Sequence, residues 1–515
     1  MRPHDMGTLF DEVAARGAAT TVHLDRPLDV ATGTTFTVAE LAELVREASG
    51  WLAGAGVRRG DRVAIVKRNH WDYDLLACAA IRLGALPALI SGTLPPEVLE
   101  LVVNRFDPTL LVTDRDLSHR DARVLSLGER LPGSLVLDDV RGTAPPPPIR
   151  RADDLPLVVN HTSGTTGPPK LVVHTTRTII TRLARFEAVR WPVVGIRRDD
   201  VVANASAYTH GRTFCWTASV FCRAPRRVVL LAEHDPTTAA RMLGEHRPTV
   251  VEALPSTYVG WRGLAAGQDN PFTDVRLYVS TYDAMHPPVV RALLGASRRR
   301  HPLWMQGWGQ TETGPLTFRF LTRRSLRSDR PTTRDLGRPV PGRTRLRVID
   351  PVTLAPVPRG GTGLVLARTR ARCTDYVGER DRWRGKVSGA WWNTGDLARR
   401  TRTGAVLLLD REVDAIPGLS CLELEDLIED RLPDIIECVL LGVPGNKPLP
   451  VLVTATGTFD TATWITATQD LPPFASPRVL TWNEVPRTGT GKVRRRELLA
   501  ELAGRAETPG TGQWT

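Results

Sequence analysis

The sequence lacks the features of a secreted, disulfide-stabilised or membrane-embedded protein. Its six cysteines are scattered along the chain with no CxxC pair, which favours reduced thiols over a disulfide framework or a zinc site. No stretch reaches the roughly 18 uncharged apolar residues of a transmembrane helix. The start of the chain has no apolar core of signal-peptide length, so we expect a cytoplasmic protein without membrane insertion.

Lysine is scarce although the protein is basic. Of 68 basic residues all but five are arginine. The five lysines are Lys67, Lys170, Lys386, Lys447 and Lys492. Lysine carries a compact charge on a flexible stem, whereas arginine is a broad planar fork. Lysine positions that persist in such a sequence are therefore candidates for sites that arginine does not suit.

The formal net charge of +12 permits two interpretations. One is a nucleic-acid-binding protein, which salt-sensitive retention of DNA or RNA would support. We favour the other, a basic protein that does not bind nucleic acid, because the charges are spread along the chain and no nucleic-acid-binding motif is present.

The hydrophobic pattern predicts an α/β protein. Helical periodicity over Val38–Ala53 and Leu75–Leu83 alternates with short apolar runs such as Arg62–Val66 and Leu110–Thr113. This alternation favours parallel sheets flanked by helices. The chain of 515 residues is too long for one core, so several folding units are expected.

The pattern changes twice towards the C-terminus. We predict a large N-terminal domain over 1–409 whose last part, from about 335, is rich in short strands. A hinge over 410–414 leads to a small α+β domain over 415–515. That domain is predicted to contain an acidic helix, Leu422–Arg431, and a basic helix, Lys492–Ala503, which Gly504 would end.

A loop suited to phosphate follows the apolar run Leu155–Asn160. It reads His-Thr-Ser-Gly-Thr-Thr-Gly-Pro-Pro-Lys over 161–170. Glycines allow close approach of the backbone to a ligand, hydroxyls donate hydrogen bonds, and backbone N–H groups in such turns bind anions. The loop is not a Walker motif, because GxxxxGK[ST] is absent.

This loop closely resembles the phosphate loop of the adenylate-forming superfamily, which comprises acyl- and aryl-CoA synthetases, peptide-synthetase adenylation domains and beetle luciferases. Four further segments resemble that superfamily and follow in its order: 307–312 (GWGQTE), 392–397 (WNTGDL), Asp410-Arg411, and 486–492 (PRTGTGK). Five ordered segments make coincidence an unsatisfactory explanation, and the resemblance covers essentially the whole chain.

The resemblance implies ATP-dependent activation of a carboxylic acid as an acyl-adenylate, with Mg²⁺ and release of pyrophosphate. It implies catalytic roles for Lys170, Thr311, Glu312 and Lys492, and places Mg²⁺ at Glu312 and Thr165. The ATP-binding residues that it implies are Thr162, Ser163, Gly164, Thr165, Thr166, Gly167, Lys170, Asp283, Ala284, Trp308, Gly309, Thr311, Asp396, Arg411 and Lys492.

A weaker resemblance over 208–211 predicts the acid pocket. Its expected residues are Tyr208, His210, Gly211, Arg212 and Trp308. Aromatic walls favour an aryl or aryl-acrylic acid, with aliphatic acids second, and Arg212 is a candidate contact for a polar substituent. No aspartate lies between residues 208 and 214, which disfavours an α-amino acid.

The acceptor of the acyl group is left open. Coenzyme A is favoured, and a carrier protein, an amine or a small inorganic nucleophile are the alternatives. After the predicted hinge, Pro417 and Ser420 stand near positions where the superfamily usually has lysine and glycine. A catalytically inactive nucleotide-binding homologue is a further alternative, which Lys170, Glu312, Asp396 and Lys492 disfavour. A monomer or homodimer is expected.

Overall fold

The computed structural model describes residue 3 and residues 5–117, 122–164, 168–327, 332–416, 418–443 and 445–506. Within these ranges the strands form four sheets of nine, eight, five and three strands. Helices lie between consecutive strands of the two largest sheets. The predicted α/β fold class is confirmed.

The nine-stranded sheet has a parallel centre and antiparallel edges. In spatial order its strands are Arg338–Pro339, Gly314–Leu321, Leu303–Gln310, Leu277–Ser280, Val250–Ala253, Val201–Ala205, Arg227–Leu230, Thr21–Leu24 and Thr35–Thr37. The central strands Val201–Ala205 and Val250–Ala253 are buried at every position. Such continuous burial is typical of parallel strands covered on both faces.

The eight-stranded sheet lies beside it in the N-terminal part. Its order is Asp375–Tyr376, Leu171–Thr175, Pro156–His161, Leu86–Ser91, Arg62–Lys67, Leu110–Thr113, Arg123–Ser126 and Leu135–Val136. Pro156–His161 and Leu171–Thr175 pair antiparallel. Residues 162–164 and 168–170 of the phosphate loop, which was predicted over 161–170, lie between these two strands.

The five-stranded sheet is antiparallel throughout. It lies in the part of the chain after residue 335 that was predicted to be rich in short strands. It consists of Thr344–Ile349, Thr362–Thr369, Trp391–Arg400, Val387–Ser388 and Val406–Arg411. The three-stranded sheet, near the C-terminus, consists of Glu437–Leu441, Leu449–Thr454 and Arg478–Thr481.

The helices follow the predicted pattern closely in the N-terminal part. They are Leu9–Ala14, Val38–Gly54, Asp72–Arg82, Pro96–Phe106, Leu137–Val140, Thr176–Ala184 (a π-helix), Arg185–Glu187, Gly211–Arg223, Pro236–His246, Pro255–Trp261, Arg262–Ala266, Pro287–Ala296, Arg323–Leu326, Arg380–Arg384, Cys421–Arg431, Thr461–Thr468, Trp482–Glu484 and Arg495–Ala506. Among the described helices, none is long and apolar enough to cross a bilayer.

The last helix begins and ends three residues later in the sequence than predicted. It runs over Arg495–Ala506 rather than Lys492–Ala503, so Gly504 lies inside it and does not end it. Residues 488–492 form a turn instead, in which the N–H of Gly491 donates to the carbonyl of Thr488. A single glycine in a helix costs only about 1 kcal/mol relative to alanine, which neighbouring turns can offset.

Helix Cys421–Arg431 packs against the N-terminal part through polar contacts. His286 Nδ1 lies 2.8 Å from a carboxylate oxygen of Asp426, and Arg291 pairs with Asp430 at 2.7 Å. Burial alone would lower the pKa of His286, but the carboxylates of Glu429 and Asp426 outweigh burial and raise that pKa to about 10. A protonated histidine therefore joins the two parts in this arrangement.

Candidate active site

A cavity of about 780 Å³ collects most of the residues predicted for the site. It is bordered by the phosphate loop, both large sheets, the five-stranded sheet and the loop of residues 486–492. The predicted residues that line it are Thr162, Ser163, Gly164, Lys170, His210, Gly211, Arg212, Gly309, Thr311, Glu312, Arg411 and Lys492. Thr165, Thr166, Gly167 and Pro417 lie outside the described residues.

The phosphate loop is closed at its base by hydrogen bonds between Thr162 and Lys170. The N–H of Thr162 donates to the carbonyl of Lys170, and the N–H of Lys170 donates to the Thr162 hydroxyl, both at 3.0 Å. Gly164 has a φ of 70°, a left-handed conformation that favours glycine. The loop is therefore held at both ends, and its described residues Thr162, Ser163 and Gly164 line the cavity.

Glu312 and Lys170 form an ion pair in the cavity wall. The ammonium lies 3.0 Å from Glu312 Oε1, and the hydroxyl of Tyr376 donates to the same oxygen at 2.6 Å. Burial by itself raises the pKa of Glu312, but Lys170 and Tyr376 outweigh burial and the pKa is lowered. The carboxylate therefore stays ionised at neutral pH and loses its charge only as pH falls below its ordinary range.

His210 links the acid side of the cavity to Thr311. Its Nδ1 accepts from the backbone N–H of Arg212 at 3.1 Å, which caps helix Gly211–Arg223, so the proton lies on Nε2. Nε2 then donates to the Thr311 hydroxyl at 3.1 Å. Burial, followed by the charge of Lys492, lowers the pKa of His210 to about 3. The ring is therefore neutral and acts here as a fixed hydrogen-bond donor.

Two glycines bring Lys492 into the cavity. A Cβ on Gly489 would lie 3.1 Å from the Thr93 hydroxyl, and a Cβ on Gly491 would lie 1.9 Å from the Ser256 hydroxyl. Gly491 also has a φ of 77°. A side chain at Gly491 would prevent this approach and one at Gly489 would crowd it, and the approach brings Lys492 to the cavity wall.

Eight lysine and arginine residues line the cavity, and Lys170, Lys386, Arg411 and Lys492 are among them. Burial first, and then the charges of Lys170 and Arg411, lower the pKa of Lys386. Like charges gathered around one space favour a bound anion such as a polyphosphate. The residues present therefore fit ATP, and Glu312 supplies the oxygen ligand that Mg²⁺ prefers. Lys386 was not among the residues predicted for the site.

Asp396 lies beside the cavity, behind two residues that line it. Its carboxylate is buried, accepts from Gln310 Nε2 at 3.1 Å and pairs with Arg411 Nε at 3.0 Å. Burial raises the pKa of Asp396, an effect that Arg411, Lys492 and Lys386 oppose. The structure thus brings together Asp396 and Arg411, both of which the resemblance implies as ATP-binding residues.

Two aromatic residues predicted to wall the cavity do not reach it. Tyr208 is fully buried in the core, where its hydroxyl donates to backbone carbonyls, including that of Asn204 at 3.0 Å. Trp308 packs against the apolar cluster of the five-stranded sheet. Its neighbours Gly307 and Gly309 line the cavity, whereas Trp308 does not, and a β-bulge separates Trp308 from Gly309.

Two predicted ATP-binding residues, Asp283 and Ala284, also lie outside the cavity lining. Asp283 is exposed and accepts from the N–H of Ala284, and neither residue lines the cavity. Thr281 and Tyr282 line it instead. Tyr282 has a φ of 78°, uncommon for a residue with a bulky side chain, and this turn directs its ring to within 4.6 Å of the His210 ring.

Three acidic residues of the cavity, Glu187, Glu252 and Asp335, were not among the residues predicted from the sequence. Glu187 and Glu252 both line it, and both pair with Arg212. Sequence reasoning sought an acidic group only between residues 208 and 214. The positions of Glu187 and Glu252, in the short helix Arg185–Glu187 and in the strand Val250–Ala253, carry no local motif that would have revealed them.

The fold and this site are those of an adenylate-forming enzyme. Residues 10–376 match the model of the AMP-binding enzyme family. The chain belongs to this family.

Similar proteins include two diazotases and several CoA ligases. The chain is 37% identical to the 3-amino-2-hydroxy-4-methoxybenzoate diazotase of Streptomyces cremeus over 98% of this chain and 97% of that protein. It is 26% identical to a 3-aminoavenalumate diazotase of a Streptomyces species, over 79% and 74% respectively. An anthranilate CoA ligase solved with anthranoyl-AMP shares the fold, with a TM-score of 0.81, 21% identity and 99% of each chain covered.

Proposed function

We propose that this enzyme is an ATP-dependent diazotase, which activates nitrite as an adenylate and transfers its nitrogen to the amino group of a small aromatic acid. The observation that carries the proposal is the full-length 37% identity to a diazotase of an amino-substituted benzoate. Nitrite resembles a carboxylate in presenting two oxygens on one central atom. A site built for the attack of a carboxylate on ATP therefore also suits nitrite.

The proposed reaction balances with ATP as the only activating reagent. A nitrite oxygen attacks the α-phosphorus, the bond to pyrophosphate breaks, and nitrite is joined to AMP through that oxygen. The amine nitrogen then attacks the nitrite nitrogen, and the bond from that nitrogen to the AMP oxygen breaks. The N-nitroso product tautomerises and loses its remaining oxygen as water with both amine protons. Arylamine, nitrite and ATP thus give diazonium, AMP, pyrophosphate and water.

The cationic residues are assigned to the phosphates. Lys170, Lys386 and Arg411 neutralise them, and Lys492 lies where it can stabilise the charge that grows on the α-phosphate oxygens during attack. His210 holds the Thr311 hydroxyl towards the same phosphate. Asp396 is assigned to the ribose hydroxyls, to which a carboxylate is a suitable acceptor. When bound, Mg²⁺ would neutralise phosphate charge, with Glu312 as its protein ligand.

Glu312→Gln is expected to raise the Mg²⁺ concentration needed for half-maximal pyrophosphate release by at least about tenfold, the lower range seen even when a residue outside the ligand shell is lost. The amide keeps the size of the side chain but lacks the charge. The measurement is a Mg²⁺ titration of pyrophosphate release at saturating ATP. An unchanged requirement would assign the metal to other residues. Glu100→Gln, an exposed position outside the cavity, is the control.

The experiment that tests the proposed function follows oxygen from nitrite labelled with ¹⁸O on both atoms. With 3-aminobenzoate and ATP at a mildly alkaline pH, where uncatalysed diazotisation is slow, one labelled oxygen is expected in AMP and the other in water. The diazonium is trapped by azo coupling with a naphthol. Pyrophosphate release should require nitrite.

The outcomes separate the two candidate activities. Unlabelled AMP, together with pyrophosphate release that depends on the aromatic acid alone, would overturn the diazotase proposal. Heat-treated enzyme with the same reagents measures the spontaneous reaction.

The second candidate is activation of the aromatic acid itself, with transfer to coenzyme A or, as a further alternative, to a carrier protein. The similarity in fold to an anthranilate CoA ligase favours it, since that fold holds an aminobenzoyl adenylate. In this reaction, label from an ¹⁸O-carboxylate would enter AMP, and mass spectrometry would detect the aroyl thioester.

We also propose that residues 410–414 form the hinge between a large domain and the small domain of residues 415–515. Strand Val406–Arg411 ends the five-stranded sheet, and the next helix is Cys421–Arg431. Rotation there would withdraw Lys492 after adenylation and open the cavity to the second substrate.

A further inference from the structure

A cluster of three charged side chains lies in the part of the cavity next to His210. We call Glu187, Arg212 and Glu252 the acidic cluster. Arg212 Nε and Nη2 donate to the two oxygens of Glu252 at 2.6 and 2.7 Å, and Nη1 donates to Glu187 Oε2 at 2.5 Å. All three residues line the cavity, and three different elements supply them.

The cluster carries an excess of negative charge. Two carboxylates face one guanidinium, and the exposed fraction of the Glu252 side chain is only 2%. Burial raises the pKa of Glu252, and the guanidinium opposes that rise incompletely. Buried charges are expensive, and apolar residues of the same volume would often be at least as stable. The arrangement is therefore better explained by binding than by stability.

The charges exclude a second acid group as the ligand of this cluster. Three N–H groups of Arg212 are already taken by carboxylates, and a further carboxylate would approach two groups of like charge. Arg212 was predicted from the sequence to contact a polar substituent. In the structure it instead orients two acceptors towards the cavity.

Glu187 has acceptor capacity to spare. Its Oε1 is reached by the thiol of Cys215 at 3.8 Å, a weak donor at a long distance. Glu187 Oε2 is shared by Arg212 and the Ser219 hydroxyl. A charged oxygen in a partly dry cavity forms strong hydrogen bonds with N–H or O–H donors.

The surroundings of the cluster suit a flat ring. Phe186 and Trp216 line the same cavity, together with the aliphatic Leu277 and Val279. Tyr282, held in its left-handed conformation against His210, adds an aromatic wall near the reacting end. A small aromatic ring can therefore pack on apolar surface while a substituent reaches the carboxylates.

We propose that the acidic cluster is a specificity site that binds a hydrogen-bond-donating ring substituent, an amino or hydroxyl group, of the aromatic substrate. This inference rests on the proposed function for its aromatic substrate, whose amino group the cluster would hold until that group attacks the activated nitrite. It adds the residues that select that substrate. Glu187 is the principal acceptor, and Arg212 holds both carboxylates in place.

The test measures binding rather than turnover. Calorimetry with a non-hydrolysable ATP analogue present compares 3-aminobenzoate, 3-hydroxybenzoate and 3-methylbenzoate, in which the methyl group matches the others in size but cannot donate. The wild-type enzyme is expected to prefer the amino and hydroxy compounds by about 10- to 100-fold, as for hydrogen bonds to a charged group. The ratio of the amino to the hydroxy compound shows which donor the site selects.

Glu187→Gln is expected to reduce that preference to a few-fold while leaving affinity for the ATP analogue unchanged. Glu100→Gln, exposed and outside the cavity, is the matched control. Equal affinity of wild-type enzyme for all three compounds would overturn the inference, as would an undiminished preference in Glu187→Gln. If the preference is found but no diazonium forms, the proposed function fails and the specificity site stands. Diazonium formation without the preference gives the reverse result.

Discussion

Lys492→Ala is expected to reduce pyrophosphate release by roughly 10²–10³-fold, the loss typical of removing one preorganised donor to a developing charge. Lys492 is brought to the cavity by a loop whose glycines approach Thr93 and Ser256 closely. Because Lys170, Lys386 and Arg411 remain, affinity for a non-hydrolysable ATP analogue should change little. The effect should therefore fall on the rate of adenylation, measured by pyrophosphate release at saturating ATP.

Lys447→Ala is the matched control for this variant. Lys447 lies in the same C-terminal part, is exposed, and does not line the cavity. Its replacement removes the same charge from the protein and should leave the rate unchanged. Equal losses in both variants would indicate a general effect of net charge. A Lys492→Ala enzyme as fast as wild type would remove this lysine from the catalytic residues.

The predicted residues that the structure brings to one cavity are those whose geometry is local. Thr162, Lys170 and Lys492 lie in short loops where glycines, hydroxyls and a terminal lysine follow one another. In such loops the residue types that the backbone and the anion require are adjacent in sequence. Thr311 and Glu312 directly follow the strand Leu303–Gln310, whose C-terminal residues line the same cavity.

Predicted residues lie outside the cavity where the direction of a side chain depends on packing. Trp308 and Gly309 are neighbours in a strand, and only the position of the five-stranded sheet decides that the tryptophan is covered by it. Tyr208 is an aromatic residue of the type that lines pockets, but its hydroxyl donates hydrogen bonds to backbone carbonyls in the core. A motif fixes the path of the backbone better than it fixes which face each side chain occupies.

Residues that meet only through the fold gave weaker signals. Glu187 and Glu252 are far apart in sequence, and neither lies in a motif. Lys386 did have a signal, because it is one of only five lysines. In the structure Lys67 is buried between Asp29 and Asp72, Lys447 is exposed, and the other three line the cavity. Three of the five lysines therefore line the cavity, although only Lys170 and Lys492 were predicted as site residues.

Arg212→Met is expected to lower the free energy of unfolding by about 3–5 kcal/mol, the usual cost of removing one partner from a buried charge pair. Methionine preserves much of the length of the side chain but leaves Glu187 and Glu252 facing each other without a cation. The repulsion and the loss of three charge-assisted hydrogen bonds act together. Chemical denaturation followed by tryptophan fluorescence measures the loss, and Arg190→Met, at an exposed position in the same region, is the control.

A triple variant separates stability from specificity at this cluster. Replacing Arg212 by methionine and both glutamates by leucine removes every charge at once, and similar replacements of buried ion clusters are often neutral or stabilising. Because the three residues share contacts, their effects should be strongly non-additive, so the triple variant is expected to recover most of the stability that Arg212→Met loses. It should nevertheless bind 3-methylbenzoate at least as well as 3-aminobenzoate. Recovery of stability together with an intact amino preference would show that the acidic cluster does not select the substrate. Failure to recover stability would show that the charges support the fold itself, and their presence in a buried cavity would then need no ligand to explain it.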